Sequence, residues 1–330
     1  MFSAAGIRGR PRYDTLACRP LEQLQLEVHD LLNDSVAPRT HSVYQCAWQL
    51  FRWFIFRHDV LISSGPTLQQ LVHFIAFLSV NGYAPATIAS YISGIASTLR
   101  LQGSHDITKH FIVKRMLDGC RRRRGRQDQR RPITIVLLRR IIPALNIVCT
   151  NQYEALLFRV AFLLAFFGFL RVGELTASTR HGISPLRRSD VTLHQTSSGG
   201  VVNLNIRFSK TDRYSRGCVI SIPAVSAGEF SLCPVHATSQ FLNVYPQHFS
   251  HFLSHFDGSP VTRSQFTAVL RRALRFVGIY DTRYTSHSFR IGAATAAAMA
   301  GIPDDEIQRM GRWQSGVYRR YIRVSGELLP

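Results

Sequence analysis

Lysine is scarce in this chain of 330 residues: only Lys109, Lys114 and Lys210 occur among forty basic residues, and the others are arginine. Acidic residues are also few, and twenty Asp and Glu leave a formal net charge of +20. Such an excess of positive charge repels itself unless an anion neutralises it. Nucleic acid is therefore the first expected partner, and an anionic membrane surface is the second.

Long apolar runs and paired cysteines are absent as well. The longest apolar run, 160–170, is about half of the roughly 20 residues that a membrane helix needs, so we expect a core helix and no membrane partner. Arginines and a proline in the first residues, MFSAAGIRGRPRYD, argue against a secretory signal peptide. The six cysteines include no CxxC pair, which predicts free thiols in a reducing compartment.

Motifs for metal, nucleotide and hydride chemistry are also missing. The sequence contains no Gly-rich phosphate loop and no dinucleotide fingerprint. One group of histidines and a cysteine has spacings that fit no tetrahedral metal site: Cys233, His236, His248, His251 and His255. We therefore predict neither a cofactor nor a metal.

The length favours two domains. We predict an N-terminal tail over 1–20, a helical domain over 21–120, a linker over 121–131 and a second domain over 132–330. Apolar residues at helical spacing, with caps, predict helices in the first domain at 21–32, 40–56, 67–80, 85–101 and 106–117.

The linker is the most basic segment of the chain. Residues 121–131 hold seven arginines and one acidic residue, without an apolar side chain to anchor them. The run is either a solvated linker or nuclear-import signal, without contact to DNA, or a segment that binds phosphates. Its candidate phosphate contacts are Arg121, Arg122, Arg123, Arg124 and Arg126.

The second domain has a mixed pattern. Helices are predicted at 135–145, 153–167, 262–277, 286–301, from 303, and at 316–323. Short β-branched runs at 190–193, 201–208 and 218–222 predict a small antiparallel sheet. The predicted fold class is mainly α with a small antiparallel β-sheet.

Two pairs of residues in this domain could bind an anion. His287 and Arg290 are three residues apart, so they share a helix face near an N-terminus, where free amides attract negative charge. Taken alone, this spacing is more typical of surface or core-edge residues. Arg171 follows the apolar helix, and Glu174 is three residues further on. Either this is a structural ion pair, or Glu174 orients Arg171 toward a phosphate.

Two further positions could carry proton transfer and nucleophilic attack. Lys210 follows a predicted strand, at the tip of a hairpin, where an ammonium group could give up a proton; a solvated turn lysine is the ordinary explanation. Tyr318 and Tyr321 follow Trp313 in MGRWQSGVYRRYIRV. A tyrosine phenolate can attack phosphorus.

The candidates occur in the order typical of the tyrosine recombinase (phage integrase) superfamily, which the sequence resembles: Arg171, Lys210, His287, Arg290, Trp313 and Tyr321. The resemblance covers essentially the whole chain. The segment SHSFRIGAATAAAMAGIPDDEIQRMGRWQSGVYRRYIR is especially similar to recombinases of eukaryotic mobile elements of the DIRS, Ngaro and Crypton types. The resemblance implies a helical SAM-like core-binding domain followed by a recombinase catalytic domain.

The implied activity is DNA strand cleavage and rejoining without metal or cofactor. By resemblance, Tyr321 attacks the scissile phosphate to form a 3′-phosphotyrosine, and Lys210 protonates the leaving 5′ oxygen. The Tyr-Ile-Arg context favours Tyr321 over Tyr318 as the nucleophile.

The other implied site residues hold the phosphate. By resemblance, Arg171 and Arg290 clamp its non-bridging oxygens and Glu174 holds Arg171. His287 and Trp313 donate hydrogen bonds to the same oxygens.

The resemblance also implies partners and a location. Double-stranded DNA and further copies of the chain, as a tetramer on synapsed DNA, are the expected partners. The location is nuclear for a eukaryotic mobile element and cytoplasmic for a bacterial host. Two other functions stay open: a domesticated DNA-binding protein without recombination activity, and DNA relaxation of the type IB topoisomerase kind.

Overall fold

The computed structural model describes residues 19–58, 65–125, 128–182, 185–196, 199–207, 209, 212, 216–225, 230–246 and 248–323. Lys210, Arg126 and most of the N-terminal tail predicted over 1–20 lie outside these residues. The chain folds as two compact units, Met1–Gln127 and Asp128–Pro330. The boundary between the units falls within the segment 121–131.

The first unit is helical. Its helices are α1 (Leu21–Asp34), α2 (Pro38–His58), α3 (Leu68–Val80), α4 (Pro85–Leu101) and α5 (Phe111–Arg124). Thr67 and Gln70 form a capping box at the start of α3, and Pro85 occupies the first turn of α4. Buried side chains from these helices form one core, among them Phe51, Phe74, Leu78, Ile92 and Val113.

The helix predicted over 106–117 starts and ends later in the structure. Asp106 caps a short 3₁₀ turn, and His110 caps α5. The helix continues through Arg121–Arg124, so these arginines form its last turn and do not belong to an extended linker. The physical reason is local, because Arg121 pairs with Asp118 at 2.9 Å and basic side chains at a helix C-terminus interact favourably with its dipole.

The second unit is mainly helical and contains a small sheet. Its helices are α6 (Ile135–Val148), α7 (Gln152–Phe167), α8 (Val172–Leu175), α9 (Pro234–Val244), α10 (Arg263–Phe276), α11 (Ser288–Met299) and α12 (Asp304–Met310). Its strands are β1 (Val191–Thr196), β2 (Gly199–Ile206) and β3 (Cys218–Pro223). They form an antiparallel sheet in the order β1-β2-β3, which confirms the predicted fold class.

The sequence pattern misses the short helix α8 and the helix α9, and it predicts a longer helical stretch at 316–323 than the structure has. The helix α9 begins at Pro234 with Cys233 as its N-cap, but His, Thr, Ser, Gln and Asn dilute its apolar periodicity. The stretch predicted to be helical over 316–323 is a 3₁₀ turn over Gly316–Arg320.

The apolar helix α7 is the centre of the second core. The centre of the Phe162 ring lies 4.9 Å from the centre of the Phe266 ring in α10 and 5.0 Å from that of the Phe289 ring in α11. The helix ends at Gly168, and Phe169 then adopts a positive φ of 49°. In the described ranges, no helix is both long and apolar enough to cross a bilayer.

The described cysteines carry free thiols: Cys46, Cys120, Cys149, Cys218 and Cys233. Within the described part of the chain, no three His, Cys, Asp or Glu residues are placed to hold one metal ion. The His255 ring instead pairs with Glu154 at 2.8 Å.

Candidate active site

Arg171 and Glu174 lie directly after α7, around the start of α8. Glu174 Oε2 accepts the Arg171 backbone N–H at 2.9 Å, and its Oε1 accepts Arg171 Nη1 at 3.0 Å. The Ser209 hydroxyl donates to the same Oε1 at 2.9 Å. The Glu174 side chain is only 3% exposed. The predicted pairing of Glu174 with Arg171 is therefore present, and it is buried.

Arg312 is a residue of this site that the sequence pattern did not single out. Its Nη2 donates to Glu174 Oε2 at 2.9 Å and to the Phe169 carbonyl at 3.3 Å. One buried carboxylate thus holds two guanidinium groups. Burial would raise the pKa of Glu174, but Arg312 and Arg171 outweigh it and hold that pKa below its ordinary value. The available sequence signal was an arginine between Gly311 and Trp313.

Arg290 lies in the first turn of α11 and is fully buried. Its Nη1 and Nη2 donate to the backbone carbonyls of Phe169 and Gly311. Its guanidinium carbon lies 4.2 Å from the centre of the Trp313 ring. Burial and the charges of the neighbouring arginines lower the pKa of Arg290. Contact between Arg290 and a phosphate therefore requires the residues that cover it to move.

His287 directly precedes α11. Its ring centre lies 5.0 Å from that of Tyr321. Burial, followed by the positive charges of Arg130 and Arg290, lowers the pKa of His287 to about 4. The imidazole is therefore neutral at pH 7, with one N–H donor and one acceptor nitrogen.

The end of the arginine-rich run lies close to this histidine. Asp128 accepts hydrogen bonds from Arg130 Nε at 2.8 Å and Nη2 at 2.9 Å. It also accepts one from Arg323 Nη2 at 3.2 Å. A backbone hydrogen bond of 3.0 Å from Ile133 to Ser288 attaches the following residues to the start of α11. The segment 128–133 is thus tied to both chain segments that flank the site.

Trp313 packs tightly after a turn at Gly311. A Cβ atom at Gly311 would lie 1.6 Å from an atom of the Trp313 ring, so only glycine fits at this position. The indole is 7% exposed, and its ring centre lies 4.9 Å from that of Tyr321.

Tyr318 and Tyr321 have different surroundings. Tyr318 is 4% exposed, and its hydroxyl donates to Asp304 Oδ2 at 2.7 Å. Tyr321 is half-buried and packs between the rings of His287 and Trp313. The Tyr318 hydroxyl therefore serves to hold the start of α12, whereas Tyr321 lies among the other candidate residues.

Buried donors of these residues have no hydrogen-bond partner in the described part of the protein: Arg290 Nε, Arg312 Nε and Trp313 Nε1. An unsatisfied buried donor costs about 1–3 kcal/mol, and each such group calls for a physical explanation. A phosphodiester presents several acceptor oxygens, so this cluster has the chemistry of an incomplete anion site.

The structure therefore brings most of the predicted residues together: Arg171, Glu174, His287, Arg290, Trp313 and Tyr321. Lys210 lies outside the described residues. Arg121–Arg124 belong to the first unit.

The second unit is thus mainly helical with a three-stranded antiparallel sheet, and the ring of its Tyr321 contacts a histidine, a tryptophan and a buried arginine. The phage integrase family model matches residues 232–327. An integrase/recombinase xerD homolog of Selenomonas ruminantium is 24% identical over 318 residues, covering 91% of this chain and 86% of the relative.

Solved structures have the same fold. The XerH site-specific recombinase bound to palindromic difH substrate matches with a TM-score of 0.61 and 14% identity, over 87% of this chain and 76% of that chain. A lambda integrase dimer bound to a COC′ core site matches with a TM-score of 0.60 and 16% identity. The match covers 94% of this chain and 98% of the lambda integrase chain. Residues 232–327 therefore match the phage integrase family, and the chain has the fold of these two solved structures.

Proposed function

We propose that this protein cleaves and rejoins DNA strands with Tyr321 as the nucleophile. The contrast between the two tyrosines carries the proposal. The Tyr318 hydroxyl is buried against Asp304, whereas Tyr321 is half-buried beside His287 and Trp313. A nucleophilic hydroxyl needs a neighbouring group that can take its proton and a path to phosphorus. Tyr321 has such a neighbour in the neutral His287 ring.

The proposed step breaks one phosphodiester bond and forms another. The Tyr321 oxygen attacks phosphorus, and the bond from phosphorus to the 5′ oxygen breaks. His287 assists removal of the tyrosine proton, and Lys210 donates a proton to the leaving 5′ oxygen. The products are a 3′-phosphotyrosine and a 5′-hydroxyl. Attack by another 5′-hydroxyl reverses the step and reseals a strand without consuming a nucleotide.

Positive charge and hydrogen-bond donors are proposed to stabilise the transition state. Negative charge grows on the non-bridging oxygens, and fixed donors in a water-poor site are most effective there. Arg171 and Arg290 are proposed to clamp these oxygens, while His287 and Trp313 donate N–H groups. The unpartnered Arg290 Nε and Trp313 Nε1 support these roles.

Duplex DNA and further copies of the chain, as a tetramer on synapsed DNA, are the proposed partners. The net charge of +20 supports the first, and the DNA-bound XerH and lambda integrase structures, the latter a dimer, support both in part. The exposed side chains of Arg121–Arg124 on α5 are proposed phosphate contacts. Each such contact that is lost should reduce the slope of log K against log salt by about 0.9.

The proposed biological setting is a eukaryotic mobile element, with the protein in the nucleus. The resemblance of the segment 286–323 to DIRS, Ngaro and Crypton recombinases and the arginine-rich run support it. A fluorescently tagged chain should accumulate in nuclei of a eukaryotic cell, and replacing Arg121–Arg124 by glutamine should weaken that accumulation. Uniform cytoplasmic fluorescence of the parent chain would contradict nuclear import.

A nicked DNA substrate tests the assignment of the nucleophile. When the strand beyond the cleavage point is lost by diffusion, the covalent protein–DNA product accumulates and is seen on a denaturing gel. The product should form with the parent chain and with Tyr318→Phe, and should be absent with Tyr321→Phe. Loss of the product with Tyr318→Phe alone would overturn the assignment.

A second assay distinguishes recombination from relaxation. Marked duplexes that carry the element's ends should yield joined products, and the Tyr321→Phe variant should yield none. Relaxation of supercoiled plasmid without any joined duplex would favour a topoisomerase-like enzyme. Binding without a covalent product would favour a domesticated DNA-binding protein.

A further inference from the structure

The backbone at Arg312 is in a conformation that an arginine rarely adopts. Its φ is +55°, in the left-handed region, which costs about 1–2 kcal/mol for a residue with a Cβ atom. A turn alone would favour Gly or Asn at this position. A non-glycine residue stays in this region only where the surrounding contacts hold it there, and such residues cluster at functional sites.

The Arg312 side chain reaches Cys218 Sγ at 3.9 Å and two oxygen acceptors that lie close to Arg171 in the chain. Its guanidinium donates to Glu174 and to the carbonyl of Phe169. Only 17% of the side chain is exposed. Phe169 itself has a φ of +49°. The side chain therefore joins two turns that contain left-handed residues, and both of its oxygen contacts lie close to Arg171 in the chain.

The charge balance around Glu174 depends on Arg312. Arg171 bonds to Oε1 and Arg312 to Oε2, so one negative charge is shared by two positive ones. Without Arg312, Arg171 and Glu174 would form a neutral pair, and little of the Arg171 charge would remain for a phosphate. With Arg312, the three side chains carry a net positive charge beside the buried Arg290.

We propose that Arg312 is a positioning residue for strand cleavage. Its positive charge neutralises the Glu174 carboxylate, so that the positive charge of Arg171 remains available to the scissile phosphate. This inference rests on the proposed function and adds a residue to it. The competing explanation is purely structural: Arg312 only holds the turn after α12.

The first test compares rates of a single round of cleavage on the nicked substrate. Arg312→Gln should cleave about 100-fold more slowly, the usual effect of removing one electrostatic contact from such a site. Arg312→Lys should retain more activity because it keeps the positive charge. Arg309→Gln is the matched control, since Arg309 has the same charge but is 74% exposed and pairs only loosely with Asp305, at 3.4 Å. It should cleave at the parent rate.

The second test asks whether removing the opposing charge restores cleavage. The double variant Glu174→Gln, Arg312→Gln returns the group around Arg171 to a net positive charge. It should cleave about tenfold faster than Arg312→Gln alone, because the coupling of neighbouring charges makes their effects non-additive. A purely structural role predicts that the second change only adds further damage.

Folding and DNA binding are checked for every variant. Circular dichroism melts identify variants that do not fold, and DNA affinity measured in a Tyr321→Phe background reports binding without cleavage. A double variant no faster than Arg312→Gln overturns the inference, and so does an Arg312→Gln rate within threefold of the parent. Either result leaves the proposed nucleophile intact as long as the covalent product still depends on Tyr321.

Discussion

Replacing Gly292 by alanine should damage both the stability of the second unit and its site. Gly292 lies in α11, and a Cβ atom there would be 1.9 Å from the carbonyl oxygen of Ile133 and 2.7 Å from its carbonyl carbon. Ordinary contact starts near 3.4 Å, so the two backbones would have to separate by roughly 1.5 Å. The Ile133 N–H is bonded to the Ser288 carbonyl at 3.0 Å, which opposes that separation.

The size of the effect follows from these contacts. Overpacking usually costs about 1–3 kcal/mol, and the clash of two backbones favours the upper part of that range. Inside a helix, alanine stabilises the fold by about 0.5–1 kcal/mol relative to glycine. The free energy of unfolding should therefore fall by a net amount of about 2 kcal/mol. A domain of this size loses roughly 2–4 °C of Tm per kcal/mol, so the Tm should fall by about 4–8 °C.

Thermal melts of Gly292→Ala and a matched control measure this loss. Gly173→Ala is the control, because a Cβ atom at Gly173 in α8 meets no atom within 4 Å. It should melt at or slightly above the parent temperature. Since Arg290 is two residues from Gly292, we also expect slower strand cleavage in Gly292→Ala. A Gly292→Ala variant that melts at the parent temperature would refute the steric reasoning.

Three further predictions concern single side chains. Tyr318→Phe should lower the free energy of unfolding by about 1 kcal/mol, measured in urea, because it loses the bond to Asp304. His287 has a folded-state pKa of about 4, below its unfolded value. The free energy of unfolding of the parent should therefore fall by about 2–3 kcal/mol between pH 7 and 4.5 through this group, and His287→Gln should not show this part of the fall. Glu154 raises the pKa of His255 through their hydrogen bond, so this pair stabilises the fold below pH 6.5 and less as pH rises through the folded pKa. Glu154→Gln should therefore cost more stability at pH 6 than at pH 9, and equal costs would contradict the pairing.

Helices with sharp local signals could be predicted closely from the sequence. The predicted bounds of α4, 85–101, agree with the structure, because Pro85 suits the first turn of a helix and Gly103 follows its end. The helix α9 also opens with a proline, Pro234, but polar residues dilute its apolar periodicity. Its helical state depends on packing Ala237 and Phe241 into the core. Tertiary burial, which the local pattern does not contain, decides the state of this segment.

The site divides in the same way between local and distant contacts. Arg171 and Glu174 are three residues apart, so their pairing could be predicted from spacing. The contact between Arg312 and Glu174 joins residues far apart in the chain and depends on a left-handed backbone at Arg312. In the sequence, the preference for Tyr321 over Tyr318 depends on resemblance alone, and the bond from Tyr318 to Asp304 supports it.

The turn at the end of α7 explains how several arginines can share one small volume. The carbonyl of Phe169, turned by its positive φ, accepts hydrogen bonds from both Arg290 and Arg312. Glu174 binds Arg312 and Arg171. Two carbonyls, those of Phe169 and Gly311, and one carboxylate carry too little negative charge for three guanidinium groups. Burial and this repulsion together lower the pKa of Arg290. A bound phosphate would offset the repulsion between these arginines. DNA binding should therefore raise the Tm of the second unit.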